Sequence, residues 1–107
     1  MSSPIVRRWE ARASAKDIDA WLSEFHERVM PNYRAADGFR WVKILISKSA
    51  EPKLVTVLTA WDDMDAVKRF SGPEPDKAVM QEWVVELMPD HDNFAIHSEE
   101  VLSEDAA

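Results

Sequence analysis

The stretch VTVLTAWDDMDAVKRFSG, Val55 to Gly72, sets the frame for the rest of the chain. Its first half is rich in β-branched and apolar residues and reads as a strand ending on Trp61. Asp62 or Asp63 then caps a helix, and Asp65 in its first turn favours the positive end of the helix dipole. That helix is short and stops at the turn signal SGPEP. A tryptophan at a strand-to-helix corner has two readings. It can anchor the core, burying on the order of 200 Å², or it can wall a pocket.

Working outward, GFRWVKILIS reads as a strand over about Phe39 to Ser47, joined to the Val55 strand by the turn KSAEPK. In strict alternation Phe39, Trp41 and Leu45 share one face, and Val42, Ile44 and Ile46 share the other. The first segment, Pro4 to Ala13, is a further strand with Ile5 and Trp9 on one face and Val6 on the other. Ser14 with Asp17 three residues on is close to a capping box. Ile18, Trp21, Leu22, Phe25 and Val29 then make one apolar helical stripe. Pro31 kinks or ends that helix, helix can continue through NYRAA, and Gly38 is the natural residue after its end. Downstream, Pro75 opens a helix DKAVMQEWVVELM, with Val79, Met80, Trp83, Val84 and Leu87 on one side and Pro89 as its close. NFAIHSEEV is the last strand, with Phe94 and Ile96 on one face, and the acidic end over about 99–107 is frayed.

The order is therefore β-α-β-β-α-α-β. That predicts an α+β, ferredoxin-like fold with a four-stranded antiparallel sheet and the second helix broken in two. Two strands are apolar on both faces, whereas one face of an antiparallel sheet with helices only on the other side usually meets water. The second face needs a cover, and a symmetric homodimer with two sheets facing each other supplies one.

Composition bounds the function. The 107 residues suggest a single domain spanning 1–107. No apolar run approaches the roughly 18 residues of a membrane span, and the N-terminus lacks a signal-peptide core. With no cysteine there is no thiolate nucleophile and no Cys-ligated metal, so the expectation is a cytoplasmic protein. Residues 1–77 hold 13 basic and 12 acidic side chains, while residues 78–107 hold eight acidic and none basic. That balance, without a basic stripe, argues against nucleic acid as a partner. Membrane is not an expected partner either. Arg7, Arg8 and Arg12 form a small basic group on the first strand; an anion site is the lesser reading, and pairing with acids on a neighbouring strand is the more expected one.

The segments GFRWVKILIS and VTVLTAWDDMDAVKRFSGPEPDKAV with a closing strand resemble the antibiotic biosynthesis monooxygenase-like domains of the dimeric α/β-barrel superfamily. The resemblance covers about Ile5 to Val101, and its most specific part is a strand ending in Trp61, an acidic cap, a short helix ending in Phe70, then Gly72. It implies a dimeric α/β barrel. It also implies one of several activities: cofactor-free oxygenation of aromatic polyketides, heme degradation or quinol oxygenation. The heme-degrading branch carries an Asn on the first strand, a Trp on the short helix and a His on the next helix. Here IVRRWEARA has no Asn, Phe70 stands for the Trp, and Met80 lies near the His position. The leading expectation is accordingly a monooxygenase that uses no metal and no cofactor, acting on a small aromatic or polyketide-like molecule. The alternative is a non-catalytic homodimer that binds a small apolar molecule or serves as an accessory subunit.

Such a site needs apolar walls, a proton acceptor and donors that hold an oxyanion. The candidate walls are Trp9, Trp41, Trp61, Phe70, Met80 and Trp83. The candidate catalytic groups are His97, with an ordinary pKa suited to neutral pH, and Tyr33 with Arg34, a phenol and a guanidinium that can hold an anion. Each has a plainer reading: Met80 as core, His97 as a hydrogen-bonded structural histidine, Arg34 as a cation at a helix C-terminus. His26 sits on a helix flank. His91 lies in the loop PDHDN, where three adjacent residues cannot converge on one metal ion.

Overall fold

The computed structural model describes residues 3–78 and 80–106. Its elements are β1 (Ile5–Ala13), α1 (Ala15–Arg28), α2 (Met30–Ala35), β2 (Phe39–Ile46), β3 (Lys53–Trp61), α3 (Met64–Ser71), α4 (Glu82–Leu87), β4 (Asp90–His91) and β5 (Ile96–Glu99). The sheet is antiparallel, in the order β2-β3-β1, with β4 and β5 both laid along the remaining edge of β1. The last strand of the ferredoxin-like arrangement is thus divided in two, and the sheet of a single chain is open.

The local signals behave as their chemistry dictates. The Ser14 hydroxyl accepts from the Asp17 amide at 3.3 Å and starts α1. Pro31 stands in the first turn of α2, where a missing N–H is harmless. Asp63 is the cap of α3, its carboxylate accepting from the Ala66 amide at 2.9 Å. Asp62 turns back instead, donating its amide to the Gly38 carbonyl at 2.8 Å and pairing with Arg40.

Strand pairing decides what faces the helices. β1 and β3 match from Ile5↔Trp61 to Ala13↔Lys53, so Arg7, Trp9 and Ala11 share a face with Thr59, Val57 and Val55. Ile18, Trp21 and Phe25 of α1 are buried on this side. Trp61 is fully buried, its indole N–H donating to the Thr59 hydroxyl at 2.9 Å. Around it close Phe70, Phe39 and Tyr33, with ring centroids 4.9, 5.6 and 6.2 Å away.

Three expectations are corrected. Phe39 and Trp41 do not share a face. Phe39 pairs with Trp61 and Trp41 with Ala60, because Arg40 is an extra residue bulged out of the ladder. Phe39 therefore joins the core, while Trp41 turns to the opposite face with Leu45. Second, no helix runs from Pro75; α4 begins only at Glu82. The carbonyls of Pro75 and Lys77 accept from Arg7, the carbonyl of Asp76 accepts from the Ala95 amide, and the Ala78 amide donates to Asn93. Backbone groups so engaged cannot make the intrahelical ladder. Val79, expected on that helix, lies outside the described residues. Third, PDHDN is not simply loop. Asp90 and His91 pair with Arg12 and Ala11, whereas Phe94 is an exposed residue that bridges Lys77 outside the strand.

The face away from the helices carries Val6, Trp41, Leu45, Leu54, Leu58 and Ile96, with Leu45 and Ile96 about half exposed.

Gly38 has φ +82°, and a Cβ there would lie 2.6 Å from the Ala66 Cβ. Gly38→Ala is expected to lower stability by about 2–4 kcal/mol through left-handed strain plus overpacking against α3. Urea unfolding checks this as a lowered midpoint with an unchanged slope.

Candidate functional site

The helix-side face of the sheet does not fill completely. A cavity of about 100 Å³ remains between β1, β3 and the helices, walled by Trp9, Trp21, Phe25, Phe70, Met80 and Trp83. Its polar lining is Arg7, Tyr33 and Thr59. A groove of about 470 Å³ adjoins it, sharing Tyr33, Phe70 and Trp83 as boundary and adding Asn32, Arg69 and Gln81. A cavity of about 150 Å³ lined by aliphatic and aromatic groups holds a benzene. The inner space therefore suits at most one ring, and a larger molecule must extend into the groove.

Arg7 dominates this space. It is a strand residue at the buried parity, only 8% exposed, and it pairs with no carboxylate among the described residues. Its Nη1 donates to the Pro75 carbonyl and to His97 Nε2 at 2.9 Å, and its Nη2 donates to the Lys77 carbonyl at 3.1 Å. A guanidinium has five N–H donors. Among the described residues two of them remain uncommitted. Burial holds the Arg7 pKa below its ordinary value, with Tyr33 and Asp76 acting the other way, yet a guanidinium this basic stays charged.

Tyr33 is the second polar group. α2 carries it into the aromatic cluster, stacked on Phe39 and Phe70 at 5.2 and 5.0 Å. Its hydroxyl makes no hydrogen bond among the described residues. Burial pushes its pKa up to about 12, against the opposing pull of Arg7. At neutral pH it is a donor and not a base. Thr59 already accepts from Trp61. The indole N–H groups of Trp9 and Trp83 are taken by the Asp92 carbonyl and the Gln81 side chain, which leaves their rings as walls.

The structure brings together Tyr33, Trp9, Phe70, Met80 and Trp83 of the residues expected from sequence. The others stand elsewhere. His97 lies behind Arg7 and does not line the cavity. Arg34 is exposed at the end of α2 and lines neither the cavity nor the groove. Trp61 is packed behind Phe70 as a core anchor, and Trp41 is on the far face of the sheet, under Lys43 at 4.6 Å. Sequence reasoning missed Trp21, Phe25 and Thr59 as lining residues and gave Arg7 only the lesser reading of an anion site within a basic group. Arg7 had a legible signal, since Ile5, Arg7 and Trp9 alternate on one face. Of the basic group, Arg12 does pair with acids, Asp92 at 3.2 Å and Asp90 at 3.7 Å. Among the described residues no group of three His, Cys, Asp or Glu side chains converges as a metal site.

No family model matches the chain, and no curated protein matches it. Solved structures do. A heme-degrading protein of Mycobacterium tuberculosis superposes with a TM-score of 0.65 at 17% identity, covering 95% of this chain and 99% of that one. A dimeric ferredoxin-like protein from an uncultured marine organism gives 0.73 at 7% identity over 96% and 100%. A cofactor-independent oxygenase from Streptomyces nogalater, in a mutant form, gives 0.60 at 13% identity over 97% of both chains. The fold is thus the ferredoxin-like one shared by chains that carry the antibiotic biosynthesis monooxygenase name.

Heme, which the first of these proteins degrades, does not fit the residues here. The cavity is small, no histidine lines it or the groove, and both ring nitrogens of His97 are engaged.

The folded pKa of Tyr33 lies above its ordinary value near 10. Its contribution to stability is therefore intact below that value and is lost as pH rises toward about 12, by about 2–3 kcal/mol. Tyr33→Phe should lack this alkaline loss, so the stability difference between the two proteins in urea unfolding should move in favour of the variant above about pH 10.

Proposed function

We propose that the chain takes a small planar aromatic molecule as its anion and oxygenates it with dioxygen, the substrate itself supplying the electrons. The observation that carries this reading is Arg7: a buried cation with two uncommitted N–H donors, facing a cavity whose other walls are aromatic. Two donors on one cation match one negative charge shared between two acceptor atoms, as in the enolate of a hydroxyanthrone, whose oxyanion lies beside a second oxygen. The guanidinium's charge, little screened in this space, holds the anion and lowers the substrate's own pKa against the opposing effect of desolvation. The Tyr33 hydroxyl donates to the same oxyanion. No imidazole or carboxylate lines the cavity, so the substrate proton leaves to water through the groove. Only substrates acidic enough to ionise beside Arg7 are expected to react.

In the reaction the substrate carbanion passes one electron to dioxygen. The radical and superoxide join to form a C–O bond, and the peroxide takes up a proton. Loss of water with the remaining C–H hydrogen then leaves a carbonyl. In sum CH₂ and O₂ become C=O and H₂O. Support for oxygenation comes from the shared fold with an oxygenase named as cofactor-independent. The missing internal base favours a second reading, binding without turnover, in which the chain is a carrier or an accessory subunit. In either reading the open sheet face is covered by a second copy of the chain, as a neighbour of the same fold described as dimeric suggests.

Oxygen uptake with a panel of hydroxyanthrones of differing acidity, against an anaerobic control, tests the first reading. Uptake that falls about a hundredfold in Arg7→Gln, and that tracks substrate acidity across the panel, supports it. Quenching of the cavity tryptophans without oxygen uptake, lost in Arg7→Gln, selects the binding reading. Absence of both overturns the anion site. Separately, Leu58→Arg on the open face is expected to shift the sedimentation coefficient from dimer to monomer while leaving the far-UV circular dichroism unchanged.

A further inference from the structure

Arg7 points into the cavity because of what holds it from behind. His97 of β5 is its register partner on the helix-facing side of the sheet, and Arg7 Nη1 is 2.9 Å from His97 Nε2. A guanidinium has no lone pair to offer, so Nε2 must be the acceptor. The imidazole is then neutral and its proton is on Nδ1, which lies 3.2 Å from the Asp76 carboxylate. Asp76 sits between Pro75 and Lys77, the two residues whose carbonyls hold the other side of the same guanidinium. His97 has no lone pair left for a substrate proton.

We propose that His97 is a positioning residue and a proton switch on the anion site. Neutral, it fixes the Arg7 guanidinium with two donors free for the ligand. Protonated, it sets an N–H against those of Arg7, the contact breaks, and the guanidinium loses its orientation. The proposal rests on the reading of Arg7 as the group that holds the anion.

The groups facing His97 are Arg7 from β1 and Asp76 from the connection between α3 and α4; Tyr33 of α2 acts on Arg7 in turn. Asp76 favours the protonated ring, while burial and then Arg7 disfavour it, and the balance holds the His97 pKa below its ordinary value. The side-chain exposures explain that balance. The imidazole is 9% exposed and Asp76 83% exposed, so water screens the carboxylate far more than the guanidinium. The sign follows: the site is competent at and above neutral pH and fails as pH falls through the folded pKa of His97.

Two measurements test this. The first needs no ligand. In the ¹⁵N spectrum of the wild-type imidazole at neutral pH, His97 should carry its proton on Nδ1, with a titration midpoint below 6.5. A proton on Nε2, or an ordinary midpoint, overturns the proposal whether or not any molecule binds. The second uses the hydroxynaphthoquinone lawsone, ionised between about pH 5 and pH 8, with tryptophan quenching as the readout. Wild-type affinity should fall about tenfold as pH drops through the midpoint that the imidazole spectrum gives. His97→Gln, whose amide oxygen takes the place of Nε2, should bind with no such pH dependence. His97→Ala should bind about tenfold more weakly at every pH. Thermal unfolding of both variants checks that they remain folded. Wild-type behaviour in all three proteins overturns the switch. Binding lost equally in His97→Gln and His97→Ala overturns it as well, because an acceptor at this position would then not be what holds Arg7. If lawsone binds none of them, the anion reading of Arg7 has failed, and the imidazole spectrum still decides the state of His97.

Discussion

A guanidinium taken out of water must be answered by acceptors, because an uncompensated buried charge costs several kcal/mol or more. At Arg7 the answer comes from distant parts of the chain: carbonyls of Pro75 and Lys77 and the ring of His97. Among the described residues no carboxylate takes part. The consequences spread outward from that choice. The connection between α3 and α4 cannot be helical where its carbonyls are spent on Arg7. It therefore lies across the edge of the sheet, exchanging backbone bonds with Asn93 and Ala95. The last strand in turn is divided into β4 and β5, with the intervening residues drawn toward that connection. And because carbonyls neutralise less than a carboxylate would, the cation keeps a field that a ligand anion can still feel.

The fold was legible because its signals were local and agreed with one another. The strand ending on Trp61, the Asp63 cap and the short α3 use only near neighbours, and the structure keeps all three. The Ser14 cap and the apolar stripe of α1 are of the same kind. What could not be read depended on partners far away in sequence. The helix expected from Pro75 had good periodicity, but periodicity says nothing of a side chain 68 positions earlier that takes its carbonyl. On β2 only Phe39 was set on the wrong face, because strict alternation fails wherever one residue is bulged out, and Arg40 carries no mark of that.

The site was legible in its walls and not in its charge. Trp9, Phe70, Met80 and Trp83 were expected and are there. Aromatic residues on apolar faces end up in the interior whatever its purpose, so finding them is easy and says little. The polar centre was harder. Arg34 stands beside Tyr33 in sequence, yet on a helix adjacent residues point about 100° apart, and only Tyr33 turns inward. The companion is Arg7, brought from another element by sheet pairing. Arginine on a strand is ordinarily a surface residue. Arginine between Ile5 and Trp9 at the buried parity is not, and that pattern can be read without a structure.

The bulge at Arg40 has a meaning beyond the two faces it rearranges. Phe39 and Trp41 already occupy consecutive positions against Trp61 and Ala60, and Arg40 is supernumerary to the ladder, held outside by Asp62. A descendant chain could drop this codon and keep every other side chain of the strand on its present side. Chains of this fold are therefore free to drift by one residue at this point without penalty from the core. An alignment that refuses a gap there sets core residues against surface ones along the rest of β2, and kinship that the backbones preserve fades from the letters.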